Sequence, residues 1–532
     1  MRTDFDLCIV GSGFGGSLLA MIACRLGLSV LLIERGRHPR FAIGESTSPL
    51  TNLILEQIAR RYDLPRLLPF STFGAWQRAY PEIGVGLKRG FTYYKHEAGR
   101  EFQTRPDRAN ELLVAASPAD EIADTHWFRA DFDRFLMEEA VALGVEYSDE
   151  TQTTLDNLSA TGAKLTLTRG GQMLHASCRL LIDATGPRGF LHRSLALAES
   201  EFEDFPRTQT LFSHFTGVAR TDEMPQFHSD ERPPYAPDDA ALHHVFDDGW
   251  MWVLRFGNGI TSAGISMTDR AAAELNLADR EPAWQRFLAR YPTVGAQFAS
   301  AQPVREFTFA PQLAFRSAAT AGEAWALLPS AAAFVDPLFS TGIPLTLVGI
   351  ERLGRILEGS LGSPDLSEKL RDYGELTLSD ADWSAMFVGG CFAAMPHFEL
   401  FTAFSMYYFA AVSFGEMARR IERRDLASRF LAQNLREYAD GLRAGARWLH
   451  SRAGAPSPSE IEAFQIAIAN AVRTINIAGV CDSRKRNWYD IDFNDVIEKA
   501  HCLEMTPDAM RSLIAKADWA SPMLCGSQRA QP

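Results

Sequence analysis

The chain has 532 residues and a formal net charge of -13, with a pI near 5.5. This length exceeds one ordinary hydrophobic core, so we expect two closely packed domains with a helical addition. The acidic balance disfavours nucleic acid or an anionic membrane surface as the main partner, because both need a basic surface, and we expect no nucleic-acid partner.

The seven cysteines form no C-x-x-C pair and no Cys/His cluster at metal-binding spacing. They are typical of thiols in a reducing cytosol, so we expect no metal site and a cytoplasmic protein. A strand begins almost at the first residue, and we therefore expect no cleaved signal peptide.

The most apolar stretch, residues 398–414, contains Glu399 and is shorter than the roughly 20 uninterrupted apolar residues of a spanning helix. It predicts a buried helix; the alternative is an apolar surface that touches a lipid or a greasy substrate.

The first elements form a nucleotide-binding pattern. Residues 6–10 read as a buried strand, residues 11–16 as the loop Gly-Ser-Gly-Phe-Gly-Gly, residues 17–26 as a helix and residues 30–34 as a second strand. A pyrophosphate reaches a helix N-terminus only where no side chain blocks the backbone, so glycines are needed there. Glu34 stands about 20 residues downstream, where a carboxylate accepts ribose hydroxyls. The chain is therefore predicted to bind a dinucleotide.

Later segments indicate a divided α/β fold. Apolar strands recur at residues 179–183 and 324–328, and a helical pattern runs over residues 344–361. Between them, residues 208–218 and 250–267 alternate with a period of two, which predicts antiparallel strands with one wet face. We expect a Rossmann-like nucleotide-binding domain of three segments, with a sheet-rich substrate domain inserted between them. The expected segments are about 1–50, 100–200 and 305–362 for the first domain, and about 51–99 and 201–304 for the second.

From residue 363 to 532 the pattern is almost wholly helical. Residues 379–392 and 413–449 carry apolar side chains at helical spacing. Pro456 and Pro458 interrupt the pattern, because two prolines so close together cannot continue a helix.

Seven motifs in order resemble those of the flavin-dependent halogenases, which are relatives of the aromatic-hydroxylase flavoproteins. The resemblance covers about residues 1–350 and implies that the dinucleotide is FAD. In chain order the motifs are residues 11–16 with Glu34, residues 44–49 (Gly-Glu-Ser-Thr-Ser-Pro), residues 88–93 (Lys-Arg-Gly-Phe-Thr-Tyr), Arg129 within residues 127–133, residues 183–186, Trp250 with Trp252, and residues 336–342 (Asp-Pro-Leu-Phe-Ser-Thr-Gly).

The resemblance implies a role for each motif. Chloride or bromide would bind at Thr341 and Gly342, where N–H groups and a helix dipole stabilise an anion. Glu45 is a candidate for organising the flavin side. The implied cofactor-binding residues are Gly11, Gly13, Gly15, Gly16, Glu34, Gly44, Ser46, Arg129, Asp183, Gly186, Asp336, Gly342 and Ile343.

Lys88 is the implied catalytic residue. In the family, a lysine at this place handles hypohalous acid, either as a haloamine or by hydrogen bonding that polarises the O–X bond, and desolvation favours its neutral form. Lys95 is a competitor on the same predicted strand, where seven residues of separation turn it to the opposite face.

Trp250, Trp252 and Phe339 are implied to line the substrate path. The tryptophans form a wall between flavin and substrate, although Val253-Leu254-Arg255 follows them where the family has an apolar residue and a proline. Tryptophan-specific members carry a glutamate at the position of Phe339, so the chain is more similar to members that act on phenols, pyrroles or carrier-bound aromatics. Pro329-Ser330 replaces the Gly-Asp usual in the class, so either Ser330 and backbone groups serve the ribityl-phosphate or flavin binding is weaker.

The implied reaction is halogenation of an electron-rich aromatic molecule, free or bound to a carrier protein. Reduced FAD, supplied by a separate flavin reductase, and O2 would give a flavin hydroperoxide. Halide would attack its distal oxygen, and the hypohalous acid would move past the tryptophans to Lys88. Two alternatives remain open: a flavin monooxygenase or dehydrogenase acting on an apolar or aromatic natural product, motivated by Arg255 and residues 398–414, and a non-catalytic flavoprotein homologue, motivated by Pro329-Ser330.

Overall fold

The computed structural model of the protein describes residues 3–517. Its strands, in chain order, are β1 (Asp4–Val10), β2 (Val30–Ile33), β3 (Val85–Lys88), β4 (Gly90–Lys95), β5 (Glu111–Ala115), β6 (Asp124–Trp127), β7 (Glu146–Ser148), β8 (Thr151–Ser159), β9 (Gly162–Arg169), β10 (Gln172–Asp183), β11 (Thr208–Thr216), β12 (Ala241–Phe246), β13 (Gly249–Arg255), β14 (Thr261–Thr268), β15 (Gln302–Pro303), β16 (Thr308–Ala310), β17 (Phe315–Arg316), β18 (Trp325–Leu327), β19 (Ala333–Phe334) and β20 (Trp488–Tyr489).

The helices in the same part of the chain are α1 (Phe14–Arg25), α2 (Pro49–Arg61), α3 (Phe73–Ala79), α4 (Arg129–Ala142), α5 (Phe190–Ser194), α6 (Asp269–Leu275), α7 (Glu281–Arg290), α8 (Pro292–Gln297), α9 (Pro329–Ala332), α10 (Gly342–Gly359), α11 (Leu366–Ala394), α12 (Phe398–Arg420), α13 (Arg436–Ser451), α14 (Pro458–Val472), α15 (Phe493–Glu498) and α16 (Pro507–Lys516).

The first sheet has the order β7-β2-β1-β10-β9-β8, and β18 also pairs with β10. Its centre is parallel, because β1 pairs in parallel with β2 and β10, and β10 does so with β18. The core strands read as continuous apolar runs, as expected for strands covered on both faces. This arrangement confirms the expected Rossmann-like domain and places the loop after β1 at the carboxyl edge of the sheet.

The second sheet has the order β15-β11-β14-β13-β12-β4-β5-β20, and β16 also pairs with β11. It is mainly antiparallel, although β12 pairs in parallel with β4 and β20 pairs in parallel with β5. Three of its strands lie outside the segments that we expected to form it: β5 and β16 come from segments assigned to the nucleotide-binding domain, and β20 from the helical C-terminal region. These strands have two to five residues, too few for a period-two pattern to show.

The prediction that the strands of the second sheet have one wet face is wrong. On one face Trp250 and Trp252 join the core shared with the first domain and the C-terminal helices. On the other face Met251 and Val253 pack with Trp284 of α7 and its neighbours. Both faces are covered because helices lie on each side of the sheet.

The C-terminal helices confirm the predicted buried helix and show how the helical stretch after it is divided. The apolar stretch forms α12, which is buried along most of its length and packs against α2, α11 and α14. Residues 413–449 do not form one helix, because α12 ends at Arg420 and α13 begins at Arg436. Glu422 (φ 62°) and Leu431 (φ 47°) adopt left-handed backbone conformations, which a right-handed helix cannot contain.

Candidate active site

The loop between β1 and α1 accepts only glycine at its tightest points. Gly11 has φ +105°, and a Cβ there would lie 2.6 Å from the carbonyl oxygen of Ala184. A Cβ on Gly16 would lie 1.9 Å from the carbonyl oxygen of Gly11. The glycines therefore let α1 start close against the strand edge with its N–H groups open, as an anion site requires.

Glu34 is a nearly buried carboxylate beside this loop. It accepts hydrogen bonds from the N–H groups of Ser12 (3.1 Å) and Gly36 (2.9 Å) and from Arg40 Nη2 (3.0 Å). Burial opposes the charged form, but Arg40 and these N–H groups outweigh it and hold the pKa of Glu34 below its ordinary value. The residue is therefore ionised at neutral pH at the position expected for ribose recognition.

A cavity of about 430 Å³ lies at the carboxyl edge of the first sheet, between the two domains. The glycine loop, the loop at residues 40–46, the strand β13 and the start of α10 form its wall. Of the residues predicted for the site, the wall contains Gly13, Gly15, Gly44, Glu45, Ser46, Arg129, Gly186, Trp250, Trp252, Asp336, Thr341, Gly342 and Ile343.

Arg129 lies in the wall and Asp183 lies behind it, and each holds a neighbouring loop in place. The Arg129 guanidinium donates to the carbonyl oxygens of Ile43 and Gly44 (both 2.8 Å) and forms a buried ion pair with Asp133. Asp183 lies outside the wall and accepts from the N–H of Thr185 (2.8 Å), which fixes the turn after β10. Burial raises the pKa of Asp183 against these hydrogen bonds. Both residues therefore shape loops of the cavity.

Glu45 is held by a histidine that the sequence did not point to. Its Oε1 lies 2.8 Å from His214 Nε2, and both side chains are nearly buried. The ring of His214 is in turn held between Phe41 and Phe128, with centroid distances of 5.0 and 5.8 Å. The carboxylate is therefore fixed at the edge of the cavity.

The segment after β19 forms a strained turn. Asp336 accepts from Trp250 Nε1 (3.0 Å), Ser266 Oγ (2.8 Å) and the N–H of Leu338 (3.0 Å). Burial raises the pKa of Asp336 to about 6 against these three donors. Phe339 (φ 64°), later in the same turn, has a left-handed backbone conformation that is rare for an aromatic residue. Such strain is typical of functional turns.

The turn leads directly into α10. Thr341 is its N-cap residue and makes no side-chain capping bond, and a Cβ on Gly342 would meet no atom within 4 Å. Thr341, Gly342 and Ile343 all line the cavity, so the N-terminus of α10 lies where the halide-site prediction requires it. Phe339 points away from the cavity into an aromatic cluster, with its centroid 4.9 Å from Phe387 and 5.0 Å from Tyr408.

Strand alternation explains why Arg255, which departs from the motif of the resembling family, does not disturb the cavity. Trp250, Trp252 and Leu254 face the cavity. Arg255 points to the other side of β13, where it donates to Asp238 Oδ1 (2.8 Å) and to nearby carbonyl oxygens. Arg255 therefore anchors a loop and leaves the cavity unchanged.

Pro329-Ser330 occupies the beginning of α9. Pro329 packs against Gly349 of α10, where a Cβ would come within 2.2 Å of the proline ring. Ser330 is half-buried and lies in the cavity wall. Pro329-Ser330, in place of the usual Gly-Asp, therefore leaves the Ser330 hydroxyl at the cavity wall.

Lys88 is fully buried behind the wall, at the end of β3. Its Nζ donates to Ser46 Oγ (2.8 Å), to the carbonyl oxygen of Thr47 and, at 3.4 Å, to Ser340 Oγ. It also lies 3.8 Å from the centroid of the Phe91 ring. Burial lowers the pKa of Lys88 to about 7. A buried amine that is half neutral near physiological pH is unusual and indicates a functional site.

Lys95, the competing lysine, lies on a different strand. The chain passes from β3 to β4 at Arg89, whose N–H donates to the carbonyl oxygen of Asp239 (2.7 Å). Lys95 Nζ donates to the carbonyl oxygen of Met395 (2.7 Å), away from the cavity. The prediction of one strand for both lysines is wrong, because β3 pairs with β6 and β4 with β5 and β12.

A second cavity, of about 190 Å³, lies beyond Lys88. Its wall includes Phe91 and Asp124, the two neighbours of Lys88 on that side, together with Asn52 and the α12 residues Tyr408 and Phe409. Asp124 is the direct partner of Lys88 in the β3–β6 ladder. The sequence did not predict that Asp124 lies beside Lys88, because the register between β3 and β6 cannot be inferred from the sequence of either strand alone.

His243 is another residue that sequence reasoning missed. It lies in the wall of the first cavity, with its ring 4.4 Å from Tyr93 and 5.4 Å from Trp250 between centroids. Burial lowers the pKa of His243 to about 3, so the ring is neutral at physiological pH. The alternation within β12 was the signal that could have placed it beside the tryptophans.

The chain is similar to known halogenases in sequence. The tryptophan halogenase family model matches residues 100–384. The chain belongs to the flavin-dependent halogenase family. It is 31% identical over 419 residues to monodechloroaminopyrrolnitrin halogenase PrnC of Pseudomonas fluorescens, covering 77% of this chain and 72% of that protein. It is also 31% identical over 409 residues to tetracycline 7-halogenase of Kitasatospora aureofaciens, covering 75% and 72%.

The fold also matches a solved halogenase. The structure of halogenase PltM in complex with phloroglucinol and FAD superposes with a TM-score of 0.81 at 23% identity, covering 92% of this chain and 99% of that one. Membership of the flavin-dependent halogenase family makes this protein an enzyme, a flavin-dependent oxidoreductase that uses reduced FAD and halide to halogenate aromatic substrates. Within residues 3–517, no helix combines the length and apolarity needed to cross a membrane.

The residues present fit FAD. The glycine loop leaves the N-terminus of α1 open, and Glu34 keeps a charged carboxylate beside it. The cavity then continues past Ser46 to the N-terminus of α10. The anion-binding end, the ribose acceptor and the large apolar wall thus follow one another as an elongated dinucleotide requires.

Proposed function

We propose that this halogenase transfers chlorine or bromine to a small electron-rich arene through Lys88, which separates the FAD cavity from the substrate cavity. The observation that carries the proposal is the position of Lys88. Its hydrogen bonds reach Ser46 and Ser340 in or beside the first cavity, and it contacts Phe91 of the second. A lysine without access to solvent needs such a role to offset the cost of its burial.

Reduced FAD, when bound, would supply two electrons that, together with two from the halide, reduce O2 to water and hypohalous acid. The protein holds the halide and restricts where the hypohalous acid can diffuse. We assign the halide to the N–H groups at Thr341 and Gly342, because a helix N-terminus stabilises an anion without a formal positive charge. Trp250 and Trp252 close the cavity beside it with two indole rings whose centroids lie 5.6 Å apart.

Lys88 then handles hypohalous acid in one of two ways. As an ammonium it donates a proton to the oxygen, so that O–X cleavage releases water as the ring carbon bonds to the halogen. As a neutral amine it bonds to the halogen itself, releases water and passes the halogen on to the ring. A pKa of about 7 keeps both forms populated near neutral pH. In either case the ring finally loses one proton and the balance is HOX + ArH → ArX + H2O.

Two further expectations concern the setting of the reaction. We propose that a separate flavin reductase delivers reduced FAD, since the sequence has no second dinucleotide fingerprint. We also propose a cytoplasmic location, which is supported by the six free thiols in the described part of the chain.

The test is incubation of the enzyme with FAD, a flavin reductase, NADH and bromide over phenols, indoles, pyrroles and a carrier-linked pyrrole. The expected result is a product with the paired isotope pattern of bromine. Oxygenated product without bromine, formed with NADPH and no reductase, would instead identify a monooxygenase. Failure to acquire FAD at micromolar flavin would identify a non-catalytic homologue.

A further inference from the structure

One imidazole in the wall of the first cavity presents an unused hydrogen-bond acceptor. His243 Nδ1 lies 3.0 Å from the carbonyl oxygen of Thr92. A carbonyl oxygen only accepts, so Nδ1 carries the proton of the neutral ring and Nε2 carries the lone pair. Nε2 has no partner within residues 3–517 and, unlike Nδ1 of His126, it keeps accessible surface. Since His243 lines the first cavity, this lone pair is open to a molecule there that donates.

The position of His243 connects the tryptophan wall to Lys88. The centroid of its ring lies 5.4 Å from that of Trp250 and 6.1 Å from that of Phe91. Lys88 Nζ lies 3.8 Å from the Phe91 centroid. His243 is therefore next to both the wall and the ring that Lys88 contacts, on the path that hypohalous acid takes in the proposed function.

The tryptophan wall itself offers no free polar group to hypohalous acid. Trp250 Nε1 donates to Asp336 (3.0 Å), and Trp252 Nε1 donates to Ser262 Oγ (3.2 Å), so both indole N–H groups are already used. An indole nitrogen is a donor only and does not accept. Among these rings, the imidazole of His243 thus presents the acceptor that the O–H of hypohalous acid needs.

The electrostatic setting makes His243 an acceptor and not a base. Burial, assisted by the charge of Lys88, lowers the pKa of His243 to about 3, although the bond to Thr92 opposes this change. A ring with so low a pKa does not remove the proton of hypohalous acid at neutral pH. The O–H is therefore held without being broken. A hydrogen bond made through the O–H leaves the halogen end of the molecule unengaged.

We infer that His243 binds hypohalous acid on its way to Lys88: Nε2 accepts the O–H and holds the molecule beside Trp250, with the halogen free to reach the lysine. This inference rests on the proposed function and adds a residue to the same path. When the neutral amine of Lys88 bonds to the halogen, the O–X bond breaks and its electron pair stays on oxygen. The oxygen then takes one proton from the nitrogen and leaves as water.

His243→Asn removes the acceptor and keeps the donor. The Asn amide can still donate to Thr92 but places no acceptor where Nε2 lies. The assay contains FAD, a flavin reductase, NADH, bromide and an arene that the unaltered enzyme brominates, and it measures brominated arene and trapped hypobromite together. The ratio of the two should fall by about 5- to 10-fold, which is what the loss of one hydrogen bond costs. His243→Gln places an oxygen near the position of Nε2 and should restore most of the ratio.

His244→Asn is the matched control. His244 follows His243 on β12 and therefore faces the other side of the sheet, where its Nε2 lies 2.8 Å from Gln297 Oε1. This variant should keep the ratio of the unaltered enzyme. An unchanged ratio in His243→Asn, an equal fall in His244→Asn, or no recovery in His243→Gln would overturn the inference. The proposed function fails separately, if the unaltered enzyme yields neither hypobromite nor brominated arene.

NMR of the unaltered apo-protein, labelled with ¹⁵N in its histidine rings, tests the acceptor without turnover and without a variant. The His243 signals are identified by their transfer from the Tyr93 ring, whose centroid is 4.4 Å away. At pH 7 we expect a protonated Nδ1 and an unprotonated Nε2. A proton on Nε2 would overturn the inference, because no lone pair would then be open to the cavity.

Discussion

Replacing Lys88 with methionine should change how the stability of the protein depends on pH. Burial lowers the pKa of Lys88 from 10.5 to about 7. A fall of about 3.5 in pKa corresponds to about 5 kcal/mol of destabilisation below pH 7, where both folded and unfolded states carry the charge. Methionine has a similar length and carries no charge, so it removes this cost.

The sign of the effect follows from proton binding. Between pH 7 and 10.5 the unfolded chain holds a proton on Lys88 that the folded chain lacks. The stability of the unaltered protein therefore rises with pH relative to Lys88→Met, by about 3 kcal/mol between pH 6 and pH 9. Asp124 also makes the unaltered protein gain stability relative to Lys88→Met as the pH rises. Without the lysine charge its pKa, already raised by burial, rises further and destabilises the variant as pH increases.

Urea unfolding of both apo-proteins at pH 6, 7, 8 and 9 measures this difference. We expect Lys88→Met to be the more stable protein at pH 6 and its advantage to shrink steadily toward pH 9. A constant difference in free energy of unfolding across this range would refute the reasoning, because it would mean that folded Lys88 keeps its proton. In that case the haloamine route at Lys88 would also lose its support.

Two other substitutions test the framework around the site. Gly16→Ala should abolish FAD binding in a flavin titration, because its Cβ would lie 1.9 Å from the carbonyl oxygen of Gly11. Gly415→Ala, in an open position of α12, should bind FAD normally, and reduced binding there would argue against a specific effect at the loop. Arg255→Met should lower the free energy of unfolding by about 2–3 kcal/mol through lost hydrogen bonds to Asp238 and nearby carbonyls. Its halogenation per folded molecule should not change, and an altered product pattern would place Arg255 in the substrate path.

The sequence predicts the parts of the fold that local patterns determine. The glycine loop with Glu34 identified the first sheet, because a phosphate loop constrains each residue type at fixed spacing. The apolar stretch at residues 398–414 likewise predicted the buried helix α12. The second sheet was only partly predictable, since β5, β16 and β20 are short and come from distant segments. Their pairing depends on tertiary contacts that no local period reveals.

The candidate site divides in the same way. The motif residues Trp250, Trp252 and Gly342 line the first cavity, and Lys88 lies behind it. Asp124 and its partner Asn52 were not predictable, because they approach Lys88 through strand register and helix packing. Arg255 was misleading for a related reason: strand alternation turns it away from the cavity, and its motif position alone does not show this.

In the proposed mechanism, Lys88 delivers halogen from the FAD cavity to the arene. Lys88→Ala and the matched control Lys95→Ala should be assayed with FAD, reductase, NADH and bromide, measuring trapped hypobromite and brominated arene together. We predict that Lys88→Ala still releases hypobromite but forms less than about 1% of the brominated product, a loss of about 3 kcal/mol in transition-state stabilisation. Lys95→Ala should resemble the unaltered enzyme. Brominated product from Lys88→Ala at the rate of the Lys95→Ala control would contradict the account.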